Sequence, residues 1–238
     1  MLKFVDIHTH LFNQDEKMEK LFSNLGISVV SVGIDRETSH KALSSKFYGK
    51  FVGVHPSSAS KEEGLEWLEK IAPLATGIGE IGLDPSYGQI EIQKQVFVKQ
   101  LELAERLGKP IQVHSRKASK ECFEIIKSFK LKAVLMHWFE DENTLDRINS
   151  NGYFVSFGPA ILYSKKLNKI ASSIEKSLIL TESDFPVSFH SLQGVSGPML
   201  IPSVVFKLAN ILALSFNDTS ELIFANTKRY MQTLPSKA

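Results

Sequence analysis

The sequence predicts an α/β protein, and the pattern of its elements favours a (β/α)8 barrel. Eight short apolar runs alternate with longer amphipathic stretches. Most of these runs are continuously hydrophobic, as in parallel strands that are buried on both faces. Eight such units in 238 residues fit one TIM-barrel domain over residues 1–238. A doubly wound open sheet shows the same alternation, and counting alone does not separate the two.

Each predicted strand is a run rich in β-branched or other apolar residues. In chain order the eight runs are 4–8, 27–32, 51–54, 76–81, 111–114, 133–137, 153–157 and 178–181. The clearest helix is predicted over 90–107, because Gly108 and Pro110 provide a stop signal there. Asp218 with Glu221 has the pattern of a capping box that opens a C-terminal helix.

Composition and charge narrow the function classes. A net charge of +2 gives no overall basic bias toward nucleic acid or membranes, so any polyanion contact must come from a local patch. No run approaches the roughly 18 apolar residues of a membrane span. The single cysteine, Cys122, excludes an intrachain disulfide and favours a reducing, cytoplasmic location. Nothing in the sequence indicates an obligate protein partner.

Polar side chains collect at the carboxyl ends of the predicted strands. In a barrel these ends converge on one face, where active sites lie. The sequence places four histidines and two carboxylates there, namely His8, His10, Glu80, His114, His137 and Asp184.

A metal centre explains this set of residues. Several imidazoles at the ends of buried strands are poorly solvated, and they would repel one another if protonated. A divalent ion keeps imidazoles neutral and carboxylates ionised. His8 and His10 share one side of an extended strand, so both can reach one ion. Six ligands exceed what one tetrahedral ion uses, and two ions about 3.5–4 Å apart, bridged by a carboxylate, fit better.

The strand ends belong to longer motifs, which are DIHTH at 6–10, GVHP at 53–56, GEIGLD at 79–84, HSRKA at 114–118, HWF at 137–139 and ESDFP at 182–186. This ordered set resembles the TatD family of metal-dependent hydrolases, within the amidohydrolase superfamily. The resemblance implies a TIM barrel with two divalent ions, magnesium, manganese or zinc. It also implies phosphodiester hydrolysis, commonly as a deoxyribonuclease, with DNA or a small phosphodiester as substrate.

The resemblance further implies a role for each strand-end residue. Separate groups would hold the two ions, with one carboxylate between them: His8, His10 and Asp184 for the first ion, His114 and His137 for the second, and Glu80 as the bridge. Asp184 and Glu80 are the expected catalytic residues. Asp184 would orient a water activated by two metals and accept its proton.

Five further polar residues lie near these strand ends. His55 and Arg116 are expected to contact a substrate phosphate. A capping or core role for His55 and a structural salt bridge for Arg116 are the alternatives. Asp84 and Glu182 are expected to orient ligands without touching substrate. Asp6 is expected either to orient a ligand or to lie in the barrel core.

The turn after His137 departs from the family pattern, which usually has a glycine there. It carries Glu140, Asp141 and Glu142, and three acids would repel a nucleic-acid backbone unless they turn away. We therefore expect weak, strongly salt-dependent binding of nucleic acid. His190, in the loop after the eighth strand, is expected to be a solvated loop residue.

Two other functions stay open. One is a hydrolase on the same scaffold that cleaves an amide, a lactone or an ester. A lysine at the end of the fourth strand would favour it, but Glu80 stands there instead. The other is a metal-binding barrel that serves as a binding or scaffold protein. The intact ligand set argues against this hypothesis. The acidic turn keeps it open, because its carboxylates would repel a nucleic-acid substrate.

Overall fold

In a computed structural model of the chain, eight parallel strands form one sheet that curves into a nearly closed barrel. The strands pair in sequence order, so each strand lies beside its neighbour in the chain. A doubly wound open sheet would reverse this order at a switch point, so the (β/α)8 prediction is confirmed. The structure describes residues 3–12, 16–61, 64–189 and 197–231, and His190 lies outside them.

Every predicted strand is present, and each end lies within two residues of its predicted position. The strands are β1 Phe4–Thr9, β2 Ile27–Val32, β3 Gly49–Val52, β4 Gly77–Gly82, β5 Ile111–His114, β6 Val134–Met136, β7 Phe154–Phe157 and β8 Ile179–Thr181.

Helices connect the strands and cover the outside of the sheet. The predicted helix over 90–107 is found with those bounds, and it ends at Gly108 in the left-handed conformation (φ 59°). The α-helices are α1 Glu16–Asn24, α2 Arg36–Ser44, α3 Glu66–Ile71, α4 Ile90–Leu107, α5 Ser119–Ile126, α6 Leu145–Asn151, α7 Lys165–Ser173, α8 Ile201–Leu212 and α9 Phe216–Met231.

The C-terminal helix begins earlier than its capping pattern predicts. Ser215 caps α9, because its hydroxyl accepts a hydrogen bond from the Asp218 N–H (3.0 Å) and donates one to the Asp218 carboxylate (2.7 Å). Asp218 is therefore inside the first turn, and the predicted cap was wrong by three positions. Within the described ranges, no single helix is long and apolar enough to cross a membrane. Segments Pro198–Leu212 and Phe216–Met231 meet that criterion only as a pair, which is bent by 106°.

The barrel interior is a packed core at the end where the strands begin. Tyr230 of α9 stacks on Phe51 with ring centres 6.1 Å apart and meets Phe154 edge-on at 5.4 Å. Its hydroxyl donates to the Ile111 carbonyl (2.8 Å) at the start of β5. Because this end is filled, polar side chains collect at the opposite end, where the strands finish.

Hydrogen bonds between β8 and β1 bring the first and last strand ends together. The Thr181 hydroxyl donates to the Val5 carbonyl (2.6 Å). Beyond the strand, the Asp184 N–H donates to the His8 carbonyl (3.0 Å). The closure therefore places Asp184 directly beside the histidines of β1, although 176 residues separate Asp184 from His8 in sequence.

Candidate metal centre

The six predicted ligand residues lie together at the carboxyl end of the barrel. Their side chains are well shielded, since none is more than 17% exposed. Three overlapping groups of ligand atoms lie within 4.8 Å of one another: His8 with His10 and Asp184, His8 with Glu80 and His137, and His55 with Glu80 and His114.

Glu80 divides its two oxygens between two pairs of histidines. Oε1 is 2.7 Å from Nδ1 of His114 and 2.8 Å from Nε2 of His137. Oε2 is 3.4 Å from Nε2 of His10 and 3.6 Å from Nε2 of His8. The carboxylate thus stands between the pairs and faces both, which is the arrangement of a bridging ligand.

Asp184 contacts two histidines, His8 near the end of β1 and His10 directly after it. Its Oδ1 is 3.4 Å from Nε2 of His10 and 3.6 Å from Nε2 of His8. The backbone at Asp184 is left-handed (φ 48°), an uncommon conformation for a residue with a side chain. Trp138, the residue after His137, is also left-handed (φ 42°). Such strain clusters at functional sites, where surrounding contacts hold it in place.

Each of the four histidines has an acceptor on the side of the ring that faces away from the centre. Three of these contacts are hydrogen bonds: Nδ1 of His8 with Gln112 Oε1 (2.6 Å), Nδ1 of His10 with the Val32 carbonyl (2.8 Å) and Nε2 of His114 with Asp84 (3.1 Å). The fourth, Nδ1 of His137 with Glu182 at 3.5 Å, is a longer contact, and this nitrogen has no hydrogen-bond partner among the described residues. An acceptor at one ring nitrogen favours a proton there, and the lone pair of the other nitrogen then faces Glu80 and Asp184. Metal-binding histidines have this arrangement.

His55 lies against the same centre but has the opposite polarity. The Ser57 N–H donates to its Nδ1 (3.1 Å), and a backbone N–H can only donate. Nδ1 therefore carries the lone pair, and the proton of neutral His55 is on Nε2, 3.6 Å from Glu80 Oε1. Burial lowers the pKa of His55 to about 4, so it is neutral near pH 7. Neutral His55 presents a hydrogen-bond donor where the other four, in their neutral forms, present lone pairs.

The buried carboxylates of the cluster need positive charge close by to stay ionised. Burial by itself would raise the pKa of Glu80, but the surrounding imidazoles, first His55 and His137, hold it well below its ordinary value. Burial would lower the pKa of His10, but hydrogen bonds to Asp184 and Glu80 raise it to about 10. Protons or divalent ions are the two possible sources of this positive charge.

The donor set fits divalent ions. Nε2 of His8 is fully buried and has no hydrogen-bond partner among the described residues, yet it points toward two carboxylates. A buried, unpaired polar atom is costly, and a cation between the nitrogen and the oxygens would satisfy all of them. Mixed imidazole and carboxylate donors suit zinc, manganese or iron and tolerate magnesium.

Asp84 and Glu182 lie behind ligands, as expected, whereas Asp6 does not. Glu182 also accepts hydrogen bonds from the Trp138 N–H (2.8 Å) and the Ser156 hydroxyl (2.7 Å), which fix its carboxylate. Asp6 makes no hydrogen bond to the six side chains; it accepts one from the Ser183 N–H (2.8 Å), next to Asp184. Burial raises its pKa to about 8.

A model of TatD-related DNases matches residues 5–232, which is nearly the whole chain. The chain belongs to the TatD family. It is accordingly a TatD-family metal-dependent hydrolase.

Two relatives and one solved structure align with this chain over almost their full length. A metal-dependent hydrolase of Methanocaldococcus jannaschii is 26% identical, with 97% of this chain and 98% of the relative covered. The human deoxyribonuclease TATDN3 is 27% identical, with 97% and 95% covered. The crystal structure of YJJV, a TatD homologue from Escherichia coli, has a TM-score of 0.85 at 21% identity and covers 98% of both chains. This structural likeness shows that the fold is shared.

A cleft of about 1360 Å³ opens above the TatD-family centre. The loop after β5 and the start of α5 contribute Arg116, Lys117 and Lys120 to one wall. None of the three lies within 4 Å of a carboxylate oxygen of the described residues. The structural salt bridge considered for Arg116 is therefore not found there. Glu121 and Glu124 of α5 also line the cleft, so this wall carries charges of both signs.

The acidic turn after β6 forms part of the cleft wall, but its three acids differ in direction. Glu140 and Asp141 line the cleft. Glu140 accepts a hydrogen bond from the Trp138 indole (2.8 Å), and Asp141 accepts one from the Asn143 N–H (3.0 Å). Glu142 pairs with Lys169 of α7 (2.5 Å) and is not part of the cleft lining. Two of the three acids thus face the cleft.

Sequence reasoning missed three polar residues that support the centre. Gln112 contacts His8, Ser57 sets the polarity of His55, and Ser156 holds Glu182. Gln112 gave the clearest signal, because it is a glutamine within an otherwise apolar buried strand, where polar groups need hydrogen-bond partners. Ser57 and Ser156 gave a weaker signal, through their positions in or beside motifs, since serine is common at strand ends and in turns.

Proposed function

We propose that this chain is a deoxyribonuclease that hydrolyses phosphodiester bonds with two divalent ions. The division of the Glu80 oxygens between two histidine pairs carries the proposal, because one carboxylate facing two ligand groups suits two ions better than one. Relatives such as the human deoxyribonuclease TATDN3 support DNA as the substrate.

In this proposal the strand ends supply two adjoining sites. His8, His10 and Asp184 would hold the first ion. His114 and His137, whose ring nitrogens lie 3.4 Å apart, would hold the second, and Glu80 would serve both. Magnesium, manganese and zinc are the candidate ions, since all three accept nitrogen and oxygen donors to differing degrees. The ions, when bound, supply positive charge that lowers the pKa of water and polarises a phosphoryl group.

The side chains of the chain then perform the remaining steps. Asp184 orients the attacking water and accepts its proton, because its carboxylate lies at the centre and its strained backbone fixes its direction. His55 donates a hydrogen bond from Nε2 to a phosphoryl oxygen. Arg116 offers a planar pair of N–H donors from the cleft wall.

The charges of the cleft support a short, weakly bound stretch of DNA. Glu121 pairs with Lys94, and Glu124 pairs with Arg147, so these two acids are partly neutralised. The basic residues Arg116, Lys117 and Lys120 are then opposed chiefly by Glu140 and Asp141. Such a balance leaves few cations for phosphate contacts. We therefore propose weak binding, with a salt dependence smaller than the strong one expected from the sequence, because each phosphate contact adds to the slope.

A substrate panel tests the proposal. Purified protein is assayed on single-stranded DNA, on bis(4-nitrophenyl) phosphate and on a lactone, each with magnesium, manganese or zinc. We expect metal-dependent cleavage of DNA and of the small phosphodiester, and no lactone hydrolysis. Lactone turnover alone would replace the proposal with the amidohydrolase alternative. Bound metal without turnover on any substrate would favour a binding or scaffold role.

A further inference from the structure

Gln112 lies in the barrel interior directly below the metal centre. Its neighbours Ile111 and Val113 pack into the core between the sheet and the helices. Because side chains alternate along a strand, Gln112 points to the opposite face, into the barrel. Its side chain is fully buried. A buried amide in this position needs partners for both of its polar ends.

One of these partners fixes the orientation of the amide. The Gln112 Nε2 donates to the Ile7 carbonyl (2.9 Å), and a carbonyl oxygen can only accept. The amide nitrogen must therefore face Ile7. The amide oxygen, Oε1, then faces Nδ1 of His8 at 2.6 Å.

This orientation also fixes the tautomer of His8. Since Oε1 can only accept, Nδ1 of His8 must carry a proton, and neutral His8 keeps its lone pair on Nε2. That nitrogen lies 3.6 Å from Glu80 and from Asp184. In the other tautomer, an Nε2–H would donate to these carboxylates and would have to be displaced before an ion could bind. Gln112 thus disfavours the competing state.

We propose that Gln112 is a positioning residue for the metal centre, which holds His8 in the tautomer that can bind an ion. His10, which follows β1, has the backbone carbonyl of Val32 at its Nδ1 instead, so of these two acceptors only that of His8 can be removed by a side-chain substitution. The inference rests on the proposed role of His8 as a ligand. Removal of such a supporting acceptor typically weakens metal affinity 10- to 100-fold.

Two substitutions and a matched control test this role by zinc affinity, measured in competition with a chromophoric chelator. Gln112→Met keeps the length of the side chain but removes the acceptor, whereas Gln112→Glu retains an acceptor oxygen. The control is Gln100→Met, because Gln100 is also fully buried and makes two hydrogen bonds, to the Val54 N–H (2.7 Å) and carbonyl (3.1 Å). Gln100 makes no hydrogen bond to a histidine of the centre.

We expect Gln112→Met to weaken zinc binding about 10- to 100-fold, Gln112→Glu to recover most of the loss, and Gln100→Met to bind like the unaltered protein. Unchanged affinity in Gln112→Met, or an equal loss in Gln100→Met, would overturn the inference.

A spectroscopic measurement tests the inference on the unaltered protein, so it does not depend on the folding of a variant. The long-range ¹H–¹⁵N spectrum of the chelator-treated protein shows whether Nδ1 of His8 carries a proton; a bare Nδ1 would overturn the inference. His8→Ala distinguishes the proposed ligand role of His8 from the proposed positioning role of Gln112. If His8→Ala binds both ions normally, the proposed ligand set is wrong, whereas a loss in His8→Ala with none in Gln112→Met refutes only the role of Gln112.

Discussion

The two histidine pairs of the centre are oriented by different chemistry. The β1 pair, His8 and His10, is backed by neutral acceptors, the Gln112 amide and a backbone carbonyl. The β5–β6 pair, His114 and His137, is backed by the carboxylates Asp84 and Glu182. A carboxylate behind an imidazole makes it a more basic ligand. Imidazoles of the same kind can therefore differ in metal affinity according to the groups that accept their second ring proton. We expect tighter ion binding at the β5–β6 pair.

The largest effect is expected from Glu80→Gln, because Glu80 lies between the two histidine pairs and faces both. The amide oxygen is a poor bridging ligand, and two cations a few ångströms apart repel unless an anion lies between them. The variant should keep its fold, bind at most one ion tightly and lose hydrolysis by orders of magnitude. Elemental analysis of bound metal, together with turnover on a phosphodiester, measures both effects.

Glu142→Gln is the matched control for this change. Glu142 follows β6 but pairs with Lys169 away from the cleft, so its substitution should leave both ions and turnover in place. If Glu80→Gln keeps two ions and near-normal turnover, Glu80 does not bridge, and the two halves are independent.

His10→Ala and His137→Ala separate the halves. Each removes one ligand from one pair, so each should weaken one ion strongly and spare the other. The ion that His10→Ala retains should be the tighter one, because the β5–β6 pair has carboxylates behind it. Calorimetric titration with manganese checks this order. Equal retention in both variants would show that the groups behind the rings do not matter.

The sequence was sufficient to predict the barrel and the six strand-end residues, because both follow from periodicity and from where parallel strands end. It was insufficient for contacts across the barrel. Gln112 and His8 are 104 positions apart, and no local pattern reports which side chains face each other in the interior. The direction of Glu142 likewise depends on Lys169 of α7, 27 positions further along the chain, which motif comparison does not reveal.

Asp84→Asn tests the carboxylate behind the β5–β6 pair. The amide removes a charge beside His114, so affinity for the second ion should fall about 10- to 100-fold while the first ion is unaffected. Asp6→Asn is the control, since Asp6 is equally buried but makes no hydrogen bond to the six side chains. Zinc competition measures both variants. A comparable loss in Asp6→Asn would mean that any change of a buried carboxyl group near the centre, and not the loss of the contact with His114, lowers the affinity.

The pH dependence of metal binding should reflect the protons held by the centre. The pKa of His10 is raised to about 10, and that of His137 is raised well above its ordinary value by nearby carboxylates despite burial. Without ions both rings are therefore protonated near pH 7, and an ion must displace those protons. Apparent affinity should rise with pH, about tenfold per unit for each proton displaced. Affinity that is constant between pH 6 and 9 would contradict this.

The smallest effect concerns the loops that follow the two strands of the β5–β6 pair, because they carry opposite charges. Lys117 follows β5 and Asp141 follows β6, and both line the cleft. Lys117→Ala should weaken the binding of single-stranded DNA a few-fold. It should also lower the slope of log affinity against log salt concentration by about 0.7 to 1, the value of one phosphate contact. Asp141→Asn should strengthen binding without raising the slope, because it removes a repulsion and adds no cation. Fluorescence anisotropy over a salt series distinguishes these outcomes. If neither variant changes the binding curve, the DNA backbone does not pass between these loops, and its path must follow another wall of the cleft.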